Sequence, residues 1–151
     1  MKDLFLALQN TIIQHPDIKH VDFDTGQLDQ YGGRAPVLFP CVLIDIQEQG
    51  NQDLVESGKL QQKQVIVNLR LAFDFSAHTD SSTTEEHREK ALHFLDVVEG
   101  VYDMLQGHRP TDENINFLGG YQHFTNIGKS TERRPDRYKV INMPFTTIAN
   151  G

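Results

Sequence analysis

Gln64-Val65-Ile66-Val67-Asn68-Leu69-Arg70-Leu71-Ala72-Phe73-Asp74-Phe75 is the stretch that decides the fold. Val65, Val67, Leu69, Leu71, Phe73 and Phe75 alternate with Gln64, Ile66, Asn68, Arg70, Ala72 and Asp74. A strand sends successive side chains to opposite faces, so this period of two gives one apolar face and one mostly polar face. The strand-like segment spans residues 60–75. Before it, residues 37–47 hold Val37, Leu38, Phe39, Cys41, Val42, Leu43, Ile44 and Ile46 in a nearly continuous apolar run. Such a run predicts a strand covered on both faces. Pro40 cannot donate to a ladder and belongs near the strand's start, at an edge or at a bulge.

The link between these segments, residues 48–59, is polar and acidic, with Glu48, Asp53 and Glu56 beside Gly50 and Gly58. It is longer than a tight hairpin requires. Its two readings are a mobile tip and a segment that engages a partner.

Helices flank the strand pair. Leu4, Phe5, Leu8 and Ile12 share one face at helical spacing, and His15-Pro16 stops that helix because the residue before proline leaves helical geometry. Leu6 and Ile13 point almost opposite to this face. They are either a stray exposed leucine and a frayed end, which the residues alone favour, or a second contact surface. The second helix spans about residues 83–106. Ser82 with Glu85, or Thr83 with Glu86, fits a capping box. Ala91, Leu92, Phe94, Leu95, Val98, Val101, Tyr102 and Leu105 form its apolar stripe, and Gly107 ends it. Gly100, costly inside a helix, permits a close backbone approach.

Residues 18–23 read as a short edge strand, followed by a polar loop through Gly32-Gly33. Residues 115–127 read as strand broken by a bulge at Gly119-Gly120, and residues 138–148 as a last strand, with Pro144 at an edge or bulge. Between them, residues 128–136 form a polar loop whose Lys129, Arg133 and Arg134, with Arg137 just beyond, make a basic cluster. The element order predicts one α/β (α+β) domain over residues 1–151: an antiparallel or mixed sheet of about four to five strands with two helices packed on one face.

The chain has 151 residues and a formal net charge of −7. That length suits one domain able to bury a sizeable core without disulfide or metal. The charge opposes sequence-independent DNA binding, which needs Lys and Arg on phosphates. No stretch reads as a signal peptide or a membrane span, so the reading is a protein of a reducing cytoplasm with no membrane partner. The single cysteine, Cys41, sits in the apolar run and reads as a small buried hydrophobe.

No catalytic constellation stands out. Gly128-Lys129-Ser130 has the residues that close a P-loop, but position 123 is His123 where the first glycine would fall, and Arg133-Arg134-Pro135 does not open a helix. The seven histidines lack metal-ligand spacing: His87 and His93 lie on opposite sides of one helix. The reading is therefore no catalytic residue, no cofactor and no metal. An enzyme site would have to assemble from distant residues, such as His78, His123 and Asp74.

The arrangement as a whole resembles a family. A helix ends near His15-Pro16. Pro36-Val37-Leu38-Phe39-Pro40-Cys41-Val42-Leu43-Ile44 follows, then the alternating strand 64–75, the helix 85–105 and a terminal strand from Tyr138. This element order is similar to that of the tail terminator, or tail completion, proteins of long-tailed bacteriophages and prophages, of the minor tail protein U type. The resemblance spans most of the chain through order and pattern, without a diagnostic motif. It implies a structural protein that forms a homo-oligomer, a hexameric ring, with the tail tube protein and the head–tail connector protein as partners. It also implies assembly in the host cytoplasm, a final place in the virion tail, and no sequence-specific nucleic acid partner. In that setting Leu6 and Ile13 are candidate subunit contacts. Glu48, Asp53, Glu56, Arg133, Arg134 and Arg137 are candidate docking residues on two loops of opposite charge. The competing reading is an intracellular binding or regulatory module that self-associates.

Overall fold

The computed structural model describes residues 1–30, 35–74 and 84–150, except the side chains of residues 86, 87, 90 and 91. Ser82, Thr83 and the capping boxes placed there lie outside it, as do Phe75 and His78. The chain folds into α1 (Lys2–Ile12), β1 (His20–Phe23), β2 (Cys41–Asp53), β3 (Gln61–Asp74), α2 (Glu85–Leu105), β4 (Thr125–Asn126), β5 (Ser130–Thr131) and β6 (Tyr138–Asn150), with a 3₁₀ turn at Gln27–Asp29.

The sheet is mixed. Its order is β1-β2-β3-β6-β4, with β5 also on β6. β1 runs parallel to β2, and the remaining pairs are antiparallel. The alternating strand is central: β3 pairs with β2 from Cys41↔Ala72 to Asp53↔Gln61, and with β6 from Gln62↔Asn150 to Asp74↔Tyr138. The six strands exceed the expected count because β4 and β5 have two residues each. A two-residue strand carries no periodicity for a sequence reading to detect.

The two helices pack on one face. Leu4, Phe5, Leu8 and Ile12 of α1 and Val97, Val98, Val101 and Leu105 of α2 meet Val42, Ile44, Val65, Val67, Leu69, Leu71, Met143 and Phe145 of the sheet. Gly100 admits the close approach: a Cβ there would collide with the His15 ring.

The opposite face holds a second, smaller cluster of Leu28, Ala35, Val37, Cys41, Leu43, Ala72 and Val140, with Phe39 and Tyr138 against it. Phe39 and Tyr138 stack at 4.9 Å, and the Tyr138 hydroxyl accepts the Ala35 N–H at 3.0 Å. The apolar run is thus covered on both faces, as expected, but the chain's own segment before β2 supplies the second cover. Residues 37–40, read as strand, form this cover, and β2 begins only at Cys41. Segment 115–127 corrects a second expectation. Only Thr125–Asn126 pairs as a strand there. Gly120 turns with φ +87, and a Cβ on it would meet the Asn150 carbonyl. Pro144 sits inside the sheet. Its carbonyl accepts the Ile127 N–H, so its imide nitrogen faces the β4 side and takes no donor from the β3 ladder.

Candidate assembly surface

The sequence-marked residues fall at two ends of the sheet. At one end β2 and β3 continue past the helix-covered core as an arm, with β6 beside β3 as far as Gln62↔Asn150. From Gln47 to Asp53 every β2 residue is exposed. At about 3.3 Å per residue that exposed run is roughly 20 Å long. The loop expected over 48–59 is therefore half strand, which corrects its boundaries: Glu48 and Asp53 are in β2, and only the turn beyond Asp53 is loop. The pattern hid this because an arm with no apolar face to bury shows no period of two. Gly50, with φ +63, sits in a register shift between Gln49 and Gln52, the geometry of a glycine bulge. The turn is closed by the Leu54 N–H on the Leu60 carbonyl at 2.7 Å and by the Gln61 amide on the Asp53 carboxylate at 2.9 Å. Leu54, Val55 and Leu60 are exposed on it, an apolar tip on a polar arm.

At the other end lies an ion network that sequence reading missed. The Arg70 guanidinium is 2.8 Å from Glu132, 3.1 Å from Asp29 and 3.2 Å from Asp24. Arg134 meets Asp136 at 2.8 Å, Asp29 at 2.9 Å and Glu132 at 3.0 Å, and donates to the Leu28 carbonyl. Asn142 donates to Glu132. Burial opposes the Arg70 charge, but hydrogen bonds to Glu132, Asp29 and Asp24 outweigh it and raise its pKa. Burial likewise pushes Glu132 and Asp29 upward, yet the arginines win and hold both below the usual carboxylate range. The Arg134 hydrogen bond is the main cause that lowers Asp136. Arg70 was legible only as a polar position of the alternating strand. Its partners lie 41 to 62 residues away in sequence, so no local spacing could reveal them.

The candidate docking residues divide accordingly. Arg134 ties the turn 27–29 to the segment after β5 and shares Asp29 and Glu132 with Arg70 of β3, with its side chain only 10% exposed. Arg137 pairs with Asp74 at 2.8 Å. Lys129 pairs with Glu99 at 2.9 Å and lies over the Tyr102 ring. Most of the basic cluster is thus engaged by this chain's own acids, and Arg133 is exposed. Leu6 and Ile13 are 40% and 44% exposed, on the side of α1 away from the sheet.

Candidate chemistry is dispersed. His123 lines an open cleft with Gln62 and Ile148 at the arm end, whereas Asp74 pairs with Tyr138 at the far end of β3. Twelve residues of strand, roughly 40 Å, separate the Gln62 and Asp74 positions, so Asp74 and His123 share no site. Cys41 is buried, and desolvation pushes its thiol up to about 12. His93 lies against Asp17 and Asp96. Among the described residues no group of three or more His, Cys, Asp and Glu side chains is placed to hold a metal. Among them, too, no helix is long and apolar enough to cross a membrane.

No protein-family model and no curated protein matches the chain. Among solved structures it is similar to a chain from the virion of a native gene transfer agent particle, with a TM-score of 0.57 and 11% sequence identity. The likeness covers 98% of this chain and 95% of that one, so the two share a fold along their whole length.

Proposed function

We propose that this chain is a structural subunit of a phage-like particle, a tail terminator that closes as a ring on the tail tube and joins it to the head connector. The observation that carries the reading is the end-to-end fold likeness to a chain of a gene transfer agent virion. The geometry supports it. An exposed arm with an apolar tip and a helix with exposed Leu6 and Ile13 lie on different surfaces of the subunit. Two different surfaces that meet head-to-tail generate rings. Leu6 and Ile13 then belong to a contact between subunits, and Glu48, Asp53, Glu56 and Arg133 reach the tube or the connector. The ring assembles in the host cytoplasm and ends in the virion tail. It works through contacts and without catalysis or cofactor.

The test is to mix the purified protein with preassembled tubes of the tail tube protein from the same genome and image them. Closed rings on one end of the tubes, with elongation halted, are expected. Tubes that lengthen unchecked, with bare ends, would refute the reading.

A further inference from the structure

Among the described residues β2 leaves part of its edge open. The β6 edge is occupied by β4 and β5, and beyond them Gln122 donates to the Ile148 carbonyl and Asn150 to the Gly120 carbonyl. β1 is short, and the Gln9 side chain caps its Val21 carbonyl at 2.8 Å. β2 differs. β1 covers it only from Cys41 to Ile44, and the Asp24 N–H on the Ile44 carbonyl is the last bond. That bond shows that the even-numbered residues turn their backbone groups outward. The N–H and C=O of Ile46 and Glu48 therefore continue the same edge, and no described residue bonds to them there.

The edge is flanked by acids. Asp45, Glu48 and Asp53 lie along it, and the arm's two cations are Lys63, 3.7 Å from Glu48, and Lys59 in the turn. A second copy of β2 is a poor occupant, because antiparallel self-pairing would set these carboxylates against each other. The chain's own basic segment is a poor donor as well, since Lys129, Arg134 and Arg137 are held by Glu99, Asp29, Glu132, Asp136 and Asp74.

We infer that the β2 edge at residues 45–49 is a docking site for an extended, lysine- or arginine-bearing strand of another protein, which adds to the sheet beside β2. Main-chain bonds to Ile46 and Glu48 supply the geometry, and Asp45, Glu48 and Asp53 select a basic strand over an acidic one. The same acids and the bulge at Gly50 deter strands of like charge from pairing. The inference is independent of the tail-tube reading and needs no tube for its test.

The probe is a synthetic peptide of about ten residues alternating lysine with valine, the length of an ordinary strand. Its affinity is read by fluorescence and its footprint by amide hydrogen exchange. Slowed exchange at Ile46 and Glu48 is expected. Glu48→Pro, which removes only an outward N–H, should weaken binding at least about tenfold, and Glu48→Gln, which keeps it, by less. A peptide N-methylated on its edge-facing amides should lose binding to the unaltered protein, which keeps the test decisive should Glu48→Pro misfold. Absence of binding, or binding without amide protection that Glu48→Gln and Glu48→Pro weaken alike, would overturn the proposal.

Discussion

The two ends of the sheet solve opposite problems. At the Cys41 end the chain folds back: Leu28, Ala35, Val37 and Phe39 cover the second face, and two arginines tie Asp24, Asp29, Glu132 and Asp136 together. At the Asp53 end, β2 runs on with exposed side chains beside a half-buried β3, with an open edge and an apolar tip. The first end satisfies its polar groups internally and so contributes stability. The second keeps its groups available and contributes little. Burial decides the difference: charges in a partly dry site need partners, whereas solvated ones do not.

That contrast predicts a gradient of mutational cost. Leu43, wholly buried in the second cluster, is at the steep end. Leu43→Ala should cost about 3 kcal/mol in urea denaturation, through lost transfer energy and a cavity. A cost below about 1 kcal/mol would mean that the cover formed by Leu28, Ala35, Val37 and Phe39 is loose.

The network comes next. Arg70→Ala leaves Glu132 and Asp24 facing one another with less compensation, and should cost about 2 kcal/mol at neutral pH. The arginine side chain is 14% exposed, which places the expected value below that of a fully buried pair. The carboxylates also set a pH dependence. Glu132, Asp29 and Asp136 have folded pKa values below their unfolded ones. Their contribution is therefore present above the ordinary carboxylate pKa and is lost as pH falls through the folded values. Thermal unfolding of the unaltered protein should weaken below about pH 4, and that of Arg70→Ala should weaken less steeply. Parallel profiles would show that the network is not the acid-sensitive element.

The arm should show the smallest stability effect. Leu54→Ser with Leu60→Ser ought to change unfolding free energy by less than about 0.5 kcal/mol, because both side chains are already half exposed. If the arm tip is an assembly contact, the same double variant should fail to cap tubes. A large stability loss would instead make the tip part of the fold.

How much of this was legible follows from the range of each interaction. The alternation over 64–75 marked the central strand, and helical spacing marked α1 and α2, because a chain segment that buries one face repeats at its own backbone period. The apolar run through Ile44 announced cover on both faces but not its source. Residues 37–40 look like more strand, and only packing on Tyr138, about a hundred residues later, assigns them to the cover. The acidic residues around Glu48 looked like loop because nothing along an exposed arm forces apolar alternation.

The basic cluster shows the limit most clearly. Composition presented Arg133, Arg134 and Arg137 as equivalent exposed cations. Tertiary structure placed Arg134 among Asp29, Glu132 and Asp136 and put Arg137 on Asp74, while Arg133 is exposed. By itself the sequence determined the two helices, the central strand and the last strand and which of their faces are apolar, since those depend on neighbours within a few residues. Only the tertiary structure decided which charges are engaged and which edge is open, since an ion pair or a strand pairing depends on distance in space, and the groups that meet here are far apart along the chain.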